Sequence, residues 1–329
     1  MSTLLIARAP EPVRLTGMQH DLVLYALVVA GLALFASFVH SWNSHSEVSS
    51  RYRSAIFASL CITGVATLSY LVLVVFFIRG YAHAGGTSYR PTPDALLTIA
   101  PRYMDWSVTV PLLMVELLAV CSLASRKVST LRASLMAAAF AMIITGYFGS
   151  QAFAQGSSGF WLWLWFIISC VFFVYLYVGV VPAVMASVKA LPADAGRALG
   201  MATALLLTTF LVYPLVYLIP IFFHGPWWTT SMQLAYSAAD IVAKVGFGMM
   251  IHKVAKLRTA ADVCDGEDTH PETVWVNSVH HSDGVQPVRR HQDAGVGHPD
   301  GGQRGQVPAQ VGAGAHRSDD GSGMPPHTT

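Results

Sequence analysis

Lys244 is the residue whose chemistry most needs an explanation. It is the only charged residue between Asp240 and Lys253, in Ala235-Tyr-Ser-Ala-Ala-Asp-Ile-Val-Ala-Lys-Val-Gly-Phe-Gly-Met-Met-Ile251. That stretch is apolar and long enough to cross a bilayer. A lysine near the middle of such a helix costs about 2.5–3.5 kcal/mol on insertion, so it needs a partner or a covalent use. Asp240 lies four residues earlier, on the same helical face. Two chemistries fit. One is a structural ion pair inside a helix bundle. The other is an amine that forms a Schiff base with a carbonyl ligand, with Asp240 as part of its counterion.

Three more ionisable residues share one segment, Pro101-Arg-Tyr-Met-Asp-Trp-Ser-Val-Thr-Val-Pro-Leu-Leu-Met-Val-Glu116. Arg102 is three residues before Asp105 and Thr109 is four after it, so these share a face. Glu116 is eleven residues beyond Asp105; eleven steps of about 100° return almost to that face, and about 1.5 Å each separates the two acids by roughly 16 Å. An arginine and an acid toward one end, with a second acid toward the other, is the layout of a proton path with a central gap. Two unrelated packing residues are the plainer alternative. A third stretch, Phe210-Leu-Val-Tyr-Pro-Leu-Val-Tyr217, sets Phe210, Tyr213 and Tyr217 on one face beside a helix-kinking Pro214. Such a face walls a flat apolar ligand, or simply packs.

The elements that must position these groups lie in a membrane. The chain is 53% hydrophobic and 12% charged, against about 25% charged in a soluble domain. Seven apolar segments reach spanning length, at 20–42, 54–78, 98–123, 133–153, 160–186, 198–223 and 231–255. This gives an all-α seven-transmembrane-helix bundle over 20–257, after an N-terminal segment, 1–19, with no classical signal peptide. Arg51, Arg53, Arg126, Lys127, Arg132, Lys189, Arg197, Lys253, Lys256 and Arg258 fall at one end of the bundle. The excess of basic residues predicts that end to be cytoplasmic, with the N-terminus outside. The longest connection, between the second and third segments, holds Gly85, Gly86, Pro91 and Pro93 and predicts a short hairpin or lid. Residues 258–329 are rich in Gly, His, Asp, Gln and Pro, lack periodicity, and read as a disordered cytoplasmic tail. Cys61, Cys121, Cys170 and Cys264 form no CxxC pair, so neither a disulfide framework nor a metal site is expected. The net charge of +2 gives no reason to expect nucleic acid as a partner; the expected partner is membrane lipid.

Together these motifs resemble the microbial rhodopsins, the seven-helix retinal proteins. The resemblance rests on Arg102-Tyr-Met-Asp-Trp with Thr109, Pro111 and Leu112-Leu113; on Tyr213-Pro214 with Tyr217; and on Asp240-Ile-Val-Ala-Lys244 followed by Val-Gly-Phe-Gly. It implies that Lys244 carries all-trans retinal as a protonated Schiff base. It makes Asp105 the counterion and proton acceptor, Asp240 the second counterion, Arg102 the gating arginine and Glu116 the proton donor. The implied retinal pocket is Tyr103, Trp106, Thr109, Leu113, Met142, Gly146, Phe210, Tyr213, Pro214 and Tyr217. Asp105-Thr109-Glu116 matches the triplet of bacterial outward proton pumps resembling proteorhodopsin and xanthorhodopsin, and differs from sodium- and chloride-pump patterns. The implied function is therefore a light-driven outward proton pump of the plasma (inner) membrane, with no enzyme activity. A sensory photoreceptor signalling through a separate partner is the alternative, and a seven-helix protein without retinal is a more distant one. The family commonly forms pentamers or trimers, so a homo-oligomer is expected.

Some positions depart from the family. Phe210 stands where tryptophan is usual, and Ser69 where proteorhodopsins carry a histidine paired with the counterion. Phe166 stands where carotenoid-binding relatives have glycine, so no carotenoid antenna is expected. Leu113 occupies a position linked to green absorption. The loop before the last span lacks the carboxylates of a release group, which implies late proton release.

Overall fold

The structure is a computed structural model that describes residues 13–123, 125–152, 159–267, 274–276 and 279–282. All of these lie in the first of two compact units, Met1–Val288. Helix α1 (Gly17–Asn43) starts at a reciprocal cap. The Thr16 hydroxyl accepts from the Gln19 N–H at 3.3 Å, and the Gln19 side chain accepts from the Thr16 N–H at 3.0 Å. Helix α2 (Arg53–Gly80) returns antiparallel. The expected hairpin follows as β2 (Tyr81–His83) and β3 (Ser88–Pro91), turning through Gly85 and Gly86, whose φ angles are +92° and +59°. A short strand before α1, β1 (Leu15–Thr16), pairs with β3 and completes a sheet of order β1-β3-β2. His20 pins the hairpin to the bundle, its ring stacked 3.9 Å from Tyr89 and 5.1 Å from Phe77 between centroids.

Helices α3 (Ala100–Ala119), α4 (Ser125–Tyr147) and α5 (Gly159–Ala190) form the next three rods. The sixth rod is split into α6 (Ala193–Phe210) and α7 (Val212–Phe222). Pro214 has no N–H to return to the Phe210 carbonyl, and the Leu215 N–H reaches Leu211 O only at 3.5 Å. The seventh rod is α8 (Pro226–Asp240), one wide π turn (Ile241–Gly246), and α9 (Phe247–Cys264). Each rod packs on its neighbour in the chain, and α8 closes onto α1.

The outside of the bundle is apolar. Leu32 and Phe35 on α1, Leu68 and Leu71 on α2, and Val171 and Val178 on α5 are each more than half exposed. On a soluble domain that would be a large aggregation surface; here it is the lipid-facing belt of a multi-pass membrane protein. Among the described residues, six rods are long and apolar enough to cross a membrane. The remaining rod, α3, differs because its 20 residues hold Arg102, Asp105 and Glu116, all of them buried. The inner faces of α2 to α9 share one core cluster, which includes Trp106, Leu113, Phe210 and Phe247.

Several boundaries differ from the sequence reading. Helix α4 begins at Ser125 rather than 133, and the last helix runs to Cys264, past the boundary at 257. Hydropathy reports the apolar span, whereas a helix continues wherever its backbone bonds can. The chain then forms a two-stranded hairpin, β4 (Val274–Val276) and β5 (Val279–Ser282). The end of α9 with residues 265–267, and this hairpin, are the described parts of the segment 258–329. Residues 268–273, 277–278 and 283–329 of that tail, and 1–12 of the N-terminal segment, lie outside the described residues.

Candidate functional site

Lys244 sits in the wide turn of the seventh rod and is buried. Turns of this kind displace one residue's worth of backbone from the helical ladder and cluster at functional sites. The Lys244 ammonium contacts the Asp105 carboxylate, and its Nζ lies 3.4 Å from Asp240 Oδ1. The pairing of Asp240 with Lys244 inferred from their spacing is thus joined by Asp105, which comes from α3.

Asp240 is the better-supported of the two acids. Its Oδ1 accepts from the Trp106 Nε1–H at 3.0 Å and from the Tyr213 hydroxyl at 2.8 Å. Its Oδ2 accepts from the Tyr70 hydroxyl at 2.8 Å and lies 3.6 Å from an Arg102 nitrogen. Arg102 itself donates to Tyr70 Oη at 3.0 Å, to Gln233 Oε1 at 3.0 Å and to Ser237 Oγ at 3.3 Å. Asp105, by contrast, uses Oδ2 on Lys244, and its buried Oδ1 has no hydrogen-bond partner among the described residues. The Thr109 hydroxyl donates to the Asp105 backbone carbonyl at 3.0 Å. Ser69 donates to the Pro101 carbonyl at 3.0 Å, a bond that ties α2 to the first turn of α3.

Glu116 lies on the same helix, toward the other end. It is buried, and neither carboxylate oxygen has a hydrogen-bond partner among the described residues. Its surroundings include Ser59 and Gly248: a Cβ placed on Gly248 would fall 2.8 Å from Ser59 Oγ and 3.5 Å from Glu116 Oε1.

Beside the Lys244 cluster is an apolar cavity. Of the pocket residues inferred from the sequence, Tyr103, Trp106, Met142, Gly146, Phe210, Tyr213, Pro214 and Tyr217 line it, together with Phe166 and Tyr236. Thr109 and Leu113 do not; both are buried on α3. Trp106 and Tyr213 stand at the boundary, with rings in the cavity wall and polar hydrogens on Asp240. The cavity is thus an aromatic slot, two of whose rings, Trp106 and Tyr213, are hydrogen-bonded to the lysine's own carboxylate partner, and its lining fits a flat apolar ligand. Phe166 stacks on Tyr217 at 5.2 Å between ring centroids.

Sequence reasoning missed five contributors: Tyr70, Gln233, Tyr236 and Ser237 around Arg102 and the cavity, and Gly248 beside Glu116. Tyr70 is one of 12 tyrosines, with no charge to mark it. Gln233 and Ser237, seven and three residues before Asp240, carried a detectable signal: polar residues on the Asp240 face of an otherwise apolar segment.

Comparison with known proteins agrees with this geometry. The sequence pattern of the family described as Bacteriorhodopsin-like protein matches residues 17–257. A green-light absorbing proteorhodopsin of Gamma-proteobacterium EBAC31A08 is 28% identical over 227 residues, covering 68% of this chain and 82% of that protein. The crystal structure of xanthorhodopsin, described as a light-driven ion pump with dual chromophore, superimposes with a TM-score of 0.69 at 30% identity, covering 77% of this chain and 99% of that one. The structure of thermophilic rhodopsin gives a TM-score of 0.70 at 25% identity, with the same coverage.

Proposed function

The chain belongs to the bacteriorhodopsin-like family, and from that premise we propose that it is a light-driven pump that moves protons outward, using retinal bound to Lys244. Its relatives include light-absorbing rhodopsins and a light-driven ion pump. A light-driven ion pump of the rhodopsin type is therefore the function at the coarser level, and the sensory alternative is not favoured. The ion, its direction and the roles of individual residues are our reading.

Retinal, joined to the Lys244 nitrogen as a protonated Schiff base, supplies the light absorption and the change of shape that drives the cycle. The aromatic slot orients it, and the apolar lining excludes water. The proton on the Lys244 nitrogen faces two carboxylates that are not equivalent. Asp240 already accepts from Tyr70, Trp106 and Tyr213 and stands beside Arg102, so its lone pairs are occupied. Asp105 touches Lys244 and keeps Oδ1 open. Asp105 is therefore the acceptor, and Asp240 the fixed negative charge that keeps the pair balanced.

Glu116 then returns a proton to the Lys244 nitrogen from the opposite side. An ion with no partner is costly to bury, so Glu116 rests as the neutral acid and has a proton to give. Asp105 releases its proton past Arg102. The basic residues at the far end of the bundle support the assignment of Glu116 to the cytoplasmic side and Arg102 to the outside. Each proton moved against 100 mV costs about 2.3 kcal/mol.

The single observation that carries the proposal is on α3: one helix face presents a carboxylate in contact with Lys244 and, eleven residues on, a second buried carboxyl with no hydrogen-bond partner among the described residues. The test is external pH. Cells expressing the chain with all-trans retinal, in unbuffered salt, should acidify the medium under green light, and a protonophore should abolish the signal. Alkalinisation that grows with protonophore would mean that another ion is carried. Coloured cells with no pH change would remove the pump reading.

A further inference from the structure

A second cleft opens at the Glu116 end of the bundle. It lies between the start of α2, the turn after α3, α4 and the end of α9, and is open to solvent. Three arginines line it, Arg51, Arg132 and Arg258, together with Tyr52, Ser122 and Ser129; the Tyr52 hydroxyl donates to Asp262 Oδ2 at 2.5 Å. No carboxylate is among its described lining residues.

The three cations come from three different elements and are held differently. Arg258, from α9, is buried; it donates to the Val120 carbonyl at 2.8 Å, and its guanidinium carbon lies 4.7 Å from the centre of the Tyr52 ring. That clamp fixes the plane of the fork while using only part of its donor capacity. Arg132, from α4, has its Nε shut off from solvent with no hydrogen-bond partner among the described residues. Arg51 stands at the rim, 3.6 Å from Asp262 Oδ2 and 3.5 Å from Glu267 Oε2. Those two carboxylates thus face Arg51, leaving Arg132 and Arg258 without acidic partners among the described ion pairs.

Cationic side chains lining one cleft repel each other, and burying Arg258 without counter-charge is costly. Their planar forks match the oxygens of a phosphate group, each pair offering two parallel N–H donors. Serine hydroxyls at the mouth add neutral donors. We propose that this cleft is a binding site for a phosphate group, presented either as a soluble phosphate compound or as the headgroup of an anionic lipid. Because Arg258 is bonded to Val120, the residue that caps the C-terminal end of α3, a bound phosphate would tie the end of α3 to α4 and α9.

The purified full chain, in nanodiscs of zwitterionic lipid, is titrated with inorganic phosphate at an ionic strength held constant with chloride. Unfolding is followed by tryptophan fluorescence, a readout that needs no light response and so stands or falls separately from the pump. Phosphate should raise the unfolding temperature saturably. Arg132→Gln should remove that rise while leaving the phosphate-free unfolding temperature nearly unchanged, and Arg132→Lys, which keeps the charge but loses the fork, should weaken binding by about tenfold. If phosphate is silent but nanodiscs containing phosphatidylglycerol stabilise the parent chain and not Arg132→Gln, the site stands and its ligand is a lipid headgroup. If neither acts, or if both act equally on Arg132→Gln, the proposal is wrong and the arginines serve only to orient the chain.

Discussion

The two ends of helix α3 treat their acids in opposite ways. Around Asp240 every lone pair is used: three neutral donors and two cations surround a single carboxylate, and of the Arg102 nitrogens only the buried Nε has no hydrogen-bond partner among the described residues. Around Glu116 there is a serine, a glycine and apolar packing, and no hydrogen bond to either oxygen among the described residues. A saturated network holds charge in place, because moving a proton within it would break several bonds at once. An isolated carboxyl can lose or gain a proton with little rearrangement. Asp105 is intermediate, with one oxygen engaged and the other open. On the proposed pump reading, the contrast puts the fixed charge at the dense end and the mobile protons on Asp105 and Glu116.

The largest test removes the nitrogen on which both ends act. Lys244→Ala should yield an apoprotein with no visible absorption on adding retinal and no light-driven pH change. A coloured, pumping Lys244→Ala would end the whole reading. Asp105→Asn comes next. It should still bind retinal, since the aromatic slot is untouched, but its light-driven acidification should fall to background because the open acceptor is gone. Glu116→Gln should slow the return of the proton to the Lys244 nitrogen by about 10²-fold or more, the range typical of removing a positioned acid. Flash photolysis measures that step directly; an unchanged rate would mean that the inner carboxyl takes no part.

The dense end makes a quieter prediction. Tyr70→Phe removes a donor to Asp240 Oδ2 and an acceptor from Arg102, and leaves a buried charge less well supported. The loss should be about 1–3 kcal/mol in stability, read as earlier thermal bleaching. Proton return from Glu116, at the other end of α3, should keep its rate. If Tyr70→Phe instead slowed that step as much as Glu116→Gln, the two ends would be one network and the comparison would collapse.

How much of this was legible in the sequence follows the same division. Lys244, Asp240, Asp105, Arg102 and Glu116 announce themselves because a charged residue is rare and costly in a span, and helical spacing alone puts the α3 trio on one face. The break at Leu211 was visible through Pro214. The wide turn at Lys244 was not, since Ile241–Gly246 contains nothing that distinguishes it from ordinary helix. Tyr70 and Ser69 show the remaining difficulty. They are neighbours in the chain, and only tertiary packing decides that Tyr70 faces Asp240 while Ser69 turns to the Pro101 carbonyl. The position of Thr109 could be read from its spacing, but its bond to the backbone of Asp105 rather than to the carboxylate could not.

The smallest expected effect lies at the sparse end. Gly248 keeps its Cα face against Ser59 and Glu116, and a methyl group there would stand 2.8 Å from the Ser59 hydroxyl and 3.5 Å from Glu116 Oε1. The second distance is ordinary contact, so Glu116 need not move. The first is too close, but the obstructing atom is the end of a short side chain that can rotate. Gly248→Ala should therefore cost less than a typical overpacked core, about 1–3 kcal/mol, and should change the rate of proton return only a few-fold by turning the Ser59 hydroxyl away. Ser59→Ala supplies the control. It makes room for the methyl, so the double variant should recover the stability lost in Gly248→Ala. If the rate change persists in the double variant, it comes from losing the hydroxyl; if it disappears, it came from crowding. Either result shows whether Glu116 works alone or with one neighbour, the Ser59 hydroxyl beside it.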